Sequence, residues 1–340
     1  MTHLSITPLE AWVAARIGAP ADQGLPRQML RDYQLAKLRD TLHVVKRRSP
    51  FYRRHLAAHA PEALQCLNDL GGWPLTSADD LRKDPLSFLC VSQSAVQRVV
   101  TLPTRLPEER PRRLFFSAGD LELAIDFFHH GFSKLVASGQ RMLVMMPSRR
   151  PDSVGDLLAR GLARLSVTAI AHGPMQSPEA VVDVALREHI DCMVGPPSEM
   201  ICLVRYSGAA RIPPGQIRSV WLGTENTRRS TVDEISRYWD CPVYQHYGVA
   251  ELCPGGGAQC GARDGFHLRE ADVFIEIVDP RTGRPAPDGT AGEVVATTLT
   301  RQAMPLVRYR TGHLAAIMTA PCPCGSRLRR LTSILHRFAG

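Results

Sequence analysis

Cysteine and histidine side chains near the end of the chain have the chemistry of metal ligands. Cys260 and His267 flank six residues in "CGARDGFH", and Cys322 and Cys324 form "CPCG" in a turn rich in proline and glycine. Thiolate and imidazole groups in a Cys₃His set suit tetrahedral Zn²⁺, and a structural site needs no open position. The alternative is four unconnected residues, with the two cysteines of "CPC" merely exposed.

Composition limits the other functions. The chain has 340 residues, of which 44% are hydrophobic and 22% charged, with a formal net charge of +8. The basic residues are scattered, with clusters in "EERPRR" (108–113) and "SRLRRL" (326–331), and no nucleic-acid reading module accompanies them. We interpret the basic excess as a solvated surface suited to small anionic molecules, and expect no nucleic-acid partner.

The sequence predicts a cytoplasmic protein that does not enter a membrane. It has no apolar run long enough for a membrane span and no signal-peptide pattern at "MTHLSITPLEAW". Nine cysteines without a secretion signal favour reduced thiols or a metal site over disulfides. Core packing is expected for the five cysteines among apolar neighbours: Cys66, Cys90, Cys192, Cys202 and Cys241.

The predicted architecture is α/β, in three parts: a helical N-terminal subdomain (1–100), a parallel-sheet subdomain (101–270) and a β-rich subdomain (271–340). Leu35, Leu38, Leu42 and Val45 recur at helical spacing between Pro26 and Arg48. Short apolar runs predict buried parallel strands covered by helices on both faces, at 141–147, 167–172, 192–195, 219–223 and 241–248.

Capping residues predict where three of the covering helices begin. One helix starts at Ser153, and another starts with Ser177 as cap and Pro178 in the first position. The third opens with Thr231 and Glu234 spaced as a capping box. After residue 271, alternating apolar residues around the turn "RTGRPAPDG" predict antiparallel strands.

Several stretches, in order, resemble the adenylate-forming enzymes, and within them the phenylacetate-CoA ligase branch of the AMP-forming acid:CoA ligases. They are "SPFYRRHL" (49–56), "HYGVAEL" (246–252), the segment from "DGFHLREADVF" to "VRYRTG" (264–312) and "CPCGSRLRRL" (322–331). The resemblance implies Mg-ATP, a small carboxylic acid and coenzyme A as reactants, with an acyl-adenylate as the intermediate. It also implies that the Cys₃His set is a structural zinc site.

The resemblance also assigns the nucleotide and substrate residues. Tyr247 and Gly248 would contact the adenine nucleotide, Glu251 would help to hold Mg²⁺ as the catalytic residue, and Ala250 stands where a phosphate-contacting threonine is expected. His313 and Arg337 would belong to the nucleotide site, and the substrate residues would be His246, Gly255 and Gly256.

Three departures from the family pattern fall on the same reaction. His313 replaces a ribose-binding aspartate, and a neutral imidazole offers only one acceptor. The phosphate loop corresponds to "TRLPEERPR" (104–112), which has no glycine, two prolines and two glutamates. Arg110, Arg112 and Arg113 could compensate, but an exposed, mobile basic loop is the expected state. The resemblance places the family's mobile domain, with its catalytic lysine, after Gly340, so we expect this chain to lack it.

Two functions therefore remain open on the sequence alone. The first is an AMP-forming acyl- or aryl-CoA ligase with impaired activity, working with unusual phosphate contacts. The second is a noncatalytic relative that binds a nucleotide, an acyl ligand or a protein partner.

Overall fold

The computed structural model describes residues 5–20, 24–104, 109–223, 227–253 and 255–337. Its α-helices are α1 (Pro8–Arg16), α2 (Arg27–Arg48), α3 (Pro50–His55), α4 (Ala78–Lys83), α5 (Ala118–Phe132), α6 (Val154–Ala163), α7 (Pro178–Arg187), α8 (Pro197–Arg205) and α9 (Arg229–Trp239). Short 3₁₀ turns cover Pro61–Ala63, Leu67–Gly72, Pro85–Phe88, Gln93–Ala95, Ser207–Arg211 and Ala250–Leu252.

The described strands form three sheets. They are β1 (Arg98–Leu102), β2 (Arg112–Phe116), β3 (Arg141–Val144), β4 (Thr168–Ala171), β5 (Cys192–Gly195), β6 (Ser219–Leu222), β7 (Val243–Tyr247), β8 (Gly257–Ala258), β9 (Phe266–Leu268), β10 (Val273–Val278), β11 (Gly292–Thr298), β12 (Tyr309–Ala315), β13 (Arg330–Leu331) and β14 (His336–Arg337). Strands β1 and β2 form an antiparallel hairpin, and β10-β11-β12-β14 form an antiparallel sheet.

The largest sheet has eight strands in the order β13-β9-β8-β7-β6-β5-β3-β4. The strands from β4 to β7 are parallel, as predicted, whereas β8, β9 and β13 pair antiparallel. Successive residues of β3 point to opposite faces, so that Met142 packs in one apolar core and Leu143 in another. The expectation of a sheet covered on both faces is confirmed.

The N-terminal helices form as their periodicity predicts. Leu38, Leu42 and Val45 of α2 are fully buried, and their spacing places them on one face of the helix. The Ser49 hydroxyl caps α3 by accepting a hydrogen bond from the Tyr52 N–H at 3.2 Å. Among the described residues, no helix combines the length and the apolarity that crossing a bilayer requires.

The predicted helix starts are confirmed for α6 and α7. Ser177 accepts a hydrogen bond from the Ala180 N–H at 3.2 Å, with Pro178 in the first position of α7. The expected capping box of Thr231 and Glu234 is wrong, because α9 begins earlier, at Arg229. The Glu234 carboxylate instead accepts a hydrogen bond from Arg205 of α8 at 2.8 Å, so tertiary pairing has replaced the local cap.

Two expectations about side-chain exposure are also wrong in part. Cys66 and Cys202 are exposed, whereas Cys90, Cys192 and Cys241 are buried as expected. Arg330, in the basic cluster "SRLRRL", is only 2% exposed. Its guanidinium donates hydrogen bonds to the Asp264 and Ala320 carbonyl oxygens, so part of the basic excess holds loops together.

Candidate functional site

The carboxyl end of β7 is where the large sheet changes from parallel to antiparallel pairing. Open α/β sheets place ligands at the carboxyl ends of their strands. Tyr247 is the last residue of β7 and is buried. Its ring centroid lies 5.8 Å from that of His313 on β12, with the ring planes at 70°. The structure therefore brings together two of the residues predicted to bind the nucleotide.

The glycines of this region allow close packing of backbone and aromatic rings. A Cβ atom at Gly248 would lie 3.1 Å from the Gly255 nitrogen, and one at Gly256 would lie 3.2 Å from the Tyr247 ring. Gly255 has a φ of +96°, and a Cβ atom there would lie 2.0 Å from the Phe127 ring. Internal packing thus accounts for Gly255 without any ligand.

His246, predicted to contact the substrate, packs against the backbone of Gly223. A Cβ atom at Gly223 would lie 2.1 Å from the imidazole Cε1. Burial lowers the pKa of His246 to about 4, because a low-dielectric environment disfavours the imidazolium ion. At neutral pH the ring is therefore uncharged.

Glu251 lies in the 3₁₀ turn after β7 and is 5% exposed. Its Oε1 accepts a hydrogen bond from Nη1 of Arg112 at 2.5 Å and another from the Tyr309 hydroxyl at 2.9 Å. Nη1 of Arg112 also donates to the Tyr309 hydroxyl oxygen at 3.0 Å. We call these three residues the Glu251 site.

The electrostatics of the Glu251 site are those of a satisfied ion pair. Burial and the neighbouring Glu251 charge raise the pKa of the Tyr309 phenol, so the hydroxyl remains a donor at neutral pH. The buried Arg301 guanidinium donates a hydrogen bond to the Glu251 carbonyl oxygen. The side-chain carboxylate and the backbone carbonyl of Glu251 thus each contact an arginine of the protein.

This arrangement corrects one expectation about the phosphate-loop segment. Residues 105–108 of the predicted loop lie outside the described residues. Arg110 and Arg113 are exposed as expected, but Arg112 is the first residue of β2 and its side chain is only 19% exposed. The exposed, mobile state predicted for Arg112 is wrong, because the buried Glu251 carboxylate offers it a partner.

The surroundings of Glu251 do not fit a bound Mg²⁺ ion. Mg²⁺ takes oxygen ligands at about 2.0 to 2.1 Å and tolerates little departure from octahedral geometry. Here a guanidinium already contacts Oε1 of Glu251. A divalent cation on this carboxylate would lie against that guanidinium and would be repelled by it.

His313 and Arg337, both predicted to belong to the nucleotide site, lie on the four-stranded sheet. His313 is buried on β12, and its backbone N–H donates to the Thr311 hydroxyl at 3.2 Å. Arg337 pairs with His313 across β12 and β14, while its side chain is outside the description. Ala250, in the predicted phosphate position, is half-buried and has no side-chain donor.

The Cys₃His cluster comprises Cys260, His267, Cys322 and Cys324. All four residues are buried, and their ligand atoms lie within 4.8 Å of one another. The Cys260 and Cys322 sulfurs are 3.7 Å apart, and the Cys324 sulfur is 3.5 Å from Nε2 of His267. Tetrahedral zinc with Zn–S of about 2.3 Å and Zn–N of about 2.0 Å requires separations of about 3.8 and 3.5 Å. The residues therefore fit a zinc ion.

Local chemistry favours a thiolate at Cys324 alone, because its hydrogen bond with Cys260, together with burial, raises the pKa of Cys260, and burial raises the pKa of Cys322. Hydrogen bonds from Cys260 and His267 lower the pKa of Cys324. The Ala262 N–H donates to the Cys260 sulfur at 3.4 Å. Zinc binds the deprotonated thiol, so a bound cation would coordinate the Cys324 thiolate and would displace the protons of Cys260 and Cys322.

The cluster lies at the end of the eight-stranded sheet formed by β13, β9 and β8. Cys260 follows β8, His267 is in β9, and the "CPCG" turn precedes β13. Strand β13 pairs with β9, with Arg330 opposite His267. A metal here would link the same strands that this pairing joins.

A further cleft is lined by none of the residues of the Glu251 site or of the Cys₃His cluster. It has a volume of about 610 Å³ and is lined by Arg16, by residues of α2 and by residues of the segment 299–305, among them Lys37, Asp40 and Arg301. None of the predicted site residues lines it. Its charges are mixed in sign, so it indicates no particular ligand.

Sequence reasoning missed the partners of Glu251. Arg112 and Tyr309 come from β2 and β12, far from Glu251 along the chain. They stand in the sequence stretches "RRLFF" and "VRYRTG". Spacing along the chain does not reveal such a pairing, because the three residues lie on separate elements.

Comparison with known proteins identifies a family and several relatives that resemble this chain. The AMP-binding enzyme family profile matches residues 118–300. A phenylacetate-coenzyme A ligase of Thermus thermophilus is 29% identical over 330 residues, covering 94% of this chain and 72% of that protein. A phenylacetate-coenzyme A ligase of Pseudomonas putida is also 29% identical, covering 89% of this chain and 70% of that protein.

A solved structure supports the fold. An open conformation of 2-hydroxyisobutyryl-CoA ligase, in complex with 2-HIB-AMP and CoA, superposes with a TM-score of 0.82 at 22% identity. The match covers 92% of this chain and 70% of that one. With its family profile, its relatives and its α/β architecture, this chain belongs to the AMP-binding, adenylate-forming enzyme family, in the branch that resembles phenylacetate-CoA ligases.

Proposed function

We propose that this chain is an adenylate-binding relative of the acid-CoA ligases that does not by itself complete the ATP-dependent activation of a carboxylic acid. The observation that supports this most directly is the ion pair of Glu251 with Arg112 at 2.5 Å. In the family pattern Glu251 helps to hold Mg²⁺, and here its carboxylate neutralises a protein cation.

The ribose end of the site supports the same proposal. His313, in place of an aspartate, lies edge-on to Tyr247. An ionised carboxylate accepts charge-assisted hydrogen bonds from both ribose hydroxyls, whereas a neutral imidazole has one acceptor nitrogen. We therefore expect weak nucleotide binding, with Tyr247 and the backbone near Gly248 providing most of the affinity.

The competing function is a full AMP-forming ligase that uses Mg-ATP, a carboxylic acid and coenzyme A. Retention of Tyr247, Gly248 and Glu251 in one region favours this reading. A noncatalytic role with an acyl ligand or a protein partner is the other alternative.

Pyrophosphate release separates these functions. The purified chain is incubated with Mg-ATP and a panel of aromatic and fatty acids, with an active phenylacetate-CoA ligase as positive control. We expect no release above background, because loss of one preorganised electrostatic donor commonly costs about 10² to 10³ in rate and several contacts are altered here. Acid-dependent release at a rate near that of the control would refute the noncatalytic assignment.

Nucleotide affinity tests the binding part of the proposal. Calorimetry should give weak Mg-ATP binding, and Tyr247→Ala should weaken AMP binding by about 1 to 3 kcal/mol, the usual range for stacking of a base on an aromatic ring. Micromolar affinity for Mg-ATP, or a Tyr247→Ala variant that binds as well as wild type, would contradict it.

We also propose that the Cys₃His cluster holds a structural zinc ion. Its support is the match between the measured sulfur and nitrogen separations and tetrahedral geometry. Elemental analysis of protein made in zinc-replete medium should find about one zinc per chain.

A further inference from the structure

The Glu251 site has the properties of a cation site filled from within the protein. Oε1 of Glu251 receives hydrogen bonds from the Arg112 guanidinium and the Tyr309 hydroxyl, and Glu251 is 5% exposed. An arginine stays protonated throughout the physiological pH range. The cation at this carboxylate is therefore permanent and does not depend on pH.

The guanidinium retains donors for an anion. Its bonds to Glu251 and Tyr309 use Nη1 alone, and within the described residues Nε and Nη2 of Arg112 form no hydrogen bond. The Arg112 side chain is 19% exposed, so it is accessible to a ligand. A guanidinium held in this way presents a planar pair of N–H groups, the geometry that recognises phosphate.

The charge of the site suits a small phosphate group. Glu251 neutralises Arg112, and the adjacent Ala250 offers no hydroxyl to a phosphate chain. A triphosphate normally requires a divalent cation to offset its charge. A single phosphate monoester needs no more than the charge-assisted bonds that one arginine can donate.

We propose that Arg112 is a built-in counter-ion that replaces the divalent cation at Glu251, so that the site binds an adenosine monophosphate group without metal. This inference rests on the proposed adenylate-binding function and names its ligand class. Arg112 is then the residue that selects a monophosphate over Mg-ATP.

Calorimetric titration of AMP into the full chain tests the inference. Buffers are cleared of divalent ions with a chelating resin, because soluble chelators would also remove zinc, and Mg²⁺ is then added back at millimolar level. For wild type we expect AMP affinity to agree within about twofold with and without Mg²⁺. Arg112→Ala should weaken metal-free AMP binding at least about tenfold, and Mg²⁺ should restore part of it.

Two further variants isolate the effect. Arg113→Ala removes a neighbouring exposed arginine of the same strand and should leave AMP affinity unchanged. Arg112→Lys keeps the charge but loses the planar pair of N–H groups, so it should bind AMP more weakly than wild type and still without dependence on Mg²⁺. A merely structural role for Arg112 would change thermal stability without creating Mg²⁺ dependence. If Arg112→Ala does not fold, the comparison of wild type with Arg112→Lys decides.

The outcomes are separable from those of the proposed function. AMP binding to wild type that requires Mg²⁺, saturable Mn²⁺ binding at Glu251, or unchanged binding by Arg112→Ala would overturn the counter-ion role. Absence of any AMP binding would overturn this inference and the adenylate-binding part of the proposed function, and would leave the proposed lack of ligase activity standing. Acid-dependent pyrophosphate release would refute the noncatalytic assignment. The Mg²⁺ titration would still test whether Arg112 acts as the counter-ion of Glu251.

Discussion

The Cys₃His cluster and the Glu251 site both hold residues with the chemistry of metal ligands, and they differ in what surrounds those residues. In the cluster, four ligand atoms converge within 4.8 Å of one another. In the Glu251 site, the carboxylate contacts an arginine and a tyrosine. The first region fits a metal cation, whereas the second already contains a protein cation.

The difference shows that a retained ligand residue does not imply a retained metal. A buried carboxylate must be neutralised, and either a divalent ion or a guanidinium satisfies that requirement. Converging cysteines have no equivalent substitute, because two thiolates at 3.7 Å repel each other unless protons or a metal intervene. The comparison therefore predicts different responses to substitution.

The largest expected effect is loss of the cluster. Cys322→Ala/Cys324→Ala should remove the bound zinc and lower the free energy of unfolding by about 4 kcal/mol or more, because metal-binding energy is also folding energy. Elemental analysis and chemical denaturation measure the two effects. Cys202→Ala, an exposed cysteine on α8, should change neither. A wild-type chain free of zinc would show that the Cys₃His cluster is not a zinc site.

A second effect tests whether a glycine of the nucleotide region is kept for packing. Gly255→Ala should cost about 3 kcal/mol of stability, because its φ is +96° and the new methyl group would overlap Phe127. Gly139→Ala is the control, since Gly139 has a φ of +84° with no atom within 4 Å of the added Cβ. It should cost only about 1 to 2 kcal/mol. Equal losses would show that the Phe127 contact is unimportant.

The third effect concerns the ribose position. His313→Asp should strengthen AMP binding by about 1 to 3 kcal/mol, since a charged acceptor gains bonds to both hydroxyls. The free protein should become less stable, because His313 is buried and an ionised carboxylate is costly there. His336→Asp, at an exposed position on the adjacent strand β14, is the control. Unchanged AMP affinity in the variant would place His313 outside the site.

The smallest expected effect is a dependence of stability on pH. The pKa of His246 is lowered to about 4 from 6.5, so between these values the unfolded chain binds more protons than the folded one. Stability from the neutral ring is complete above about pH 6.5 and is lost as the pH falls toward 4. His246→Gln should reduce this pH-dependent loss in the free energy of unfolding by about 1 to 2 kcal/mol, as measured by chemical denaturation at each pH. The control, His43→Gln at an exposed position, should show the same dependence of stability on pH as wild type. An identical pH dependence for His246→Gln and His43→Gln would contradict the prediction.

Local sequence pattern accounts well for the elements that depend on local chemistry. Helix α2 and the cap of α7 by Ser177 follow from periodicity and from a hydroxyl next to free N–H groups. The parallel strands follow from continuous apolar runs, because both faces of such a strand are buried. Thr231 and Glu234 show the limit, since Arg205 of a different helix forms the stronger bond with Glu234.

The amino-acid sequence by itself determined the family, the α/β order of elements and the four residues that fit zinc, because short-range periodicity and ligand type are properties of the chain. The tertiary structure alone decided the partners of Glu251 and the burial of Arg112 and Arg330. Those outcomes depend on which side chains from distant strands are brought within a few ångströms, where low dielectric makes ion pairing decisive. Spacing along the chain contains no such distances.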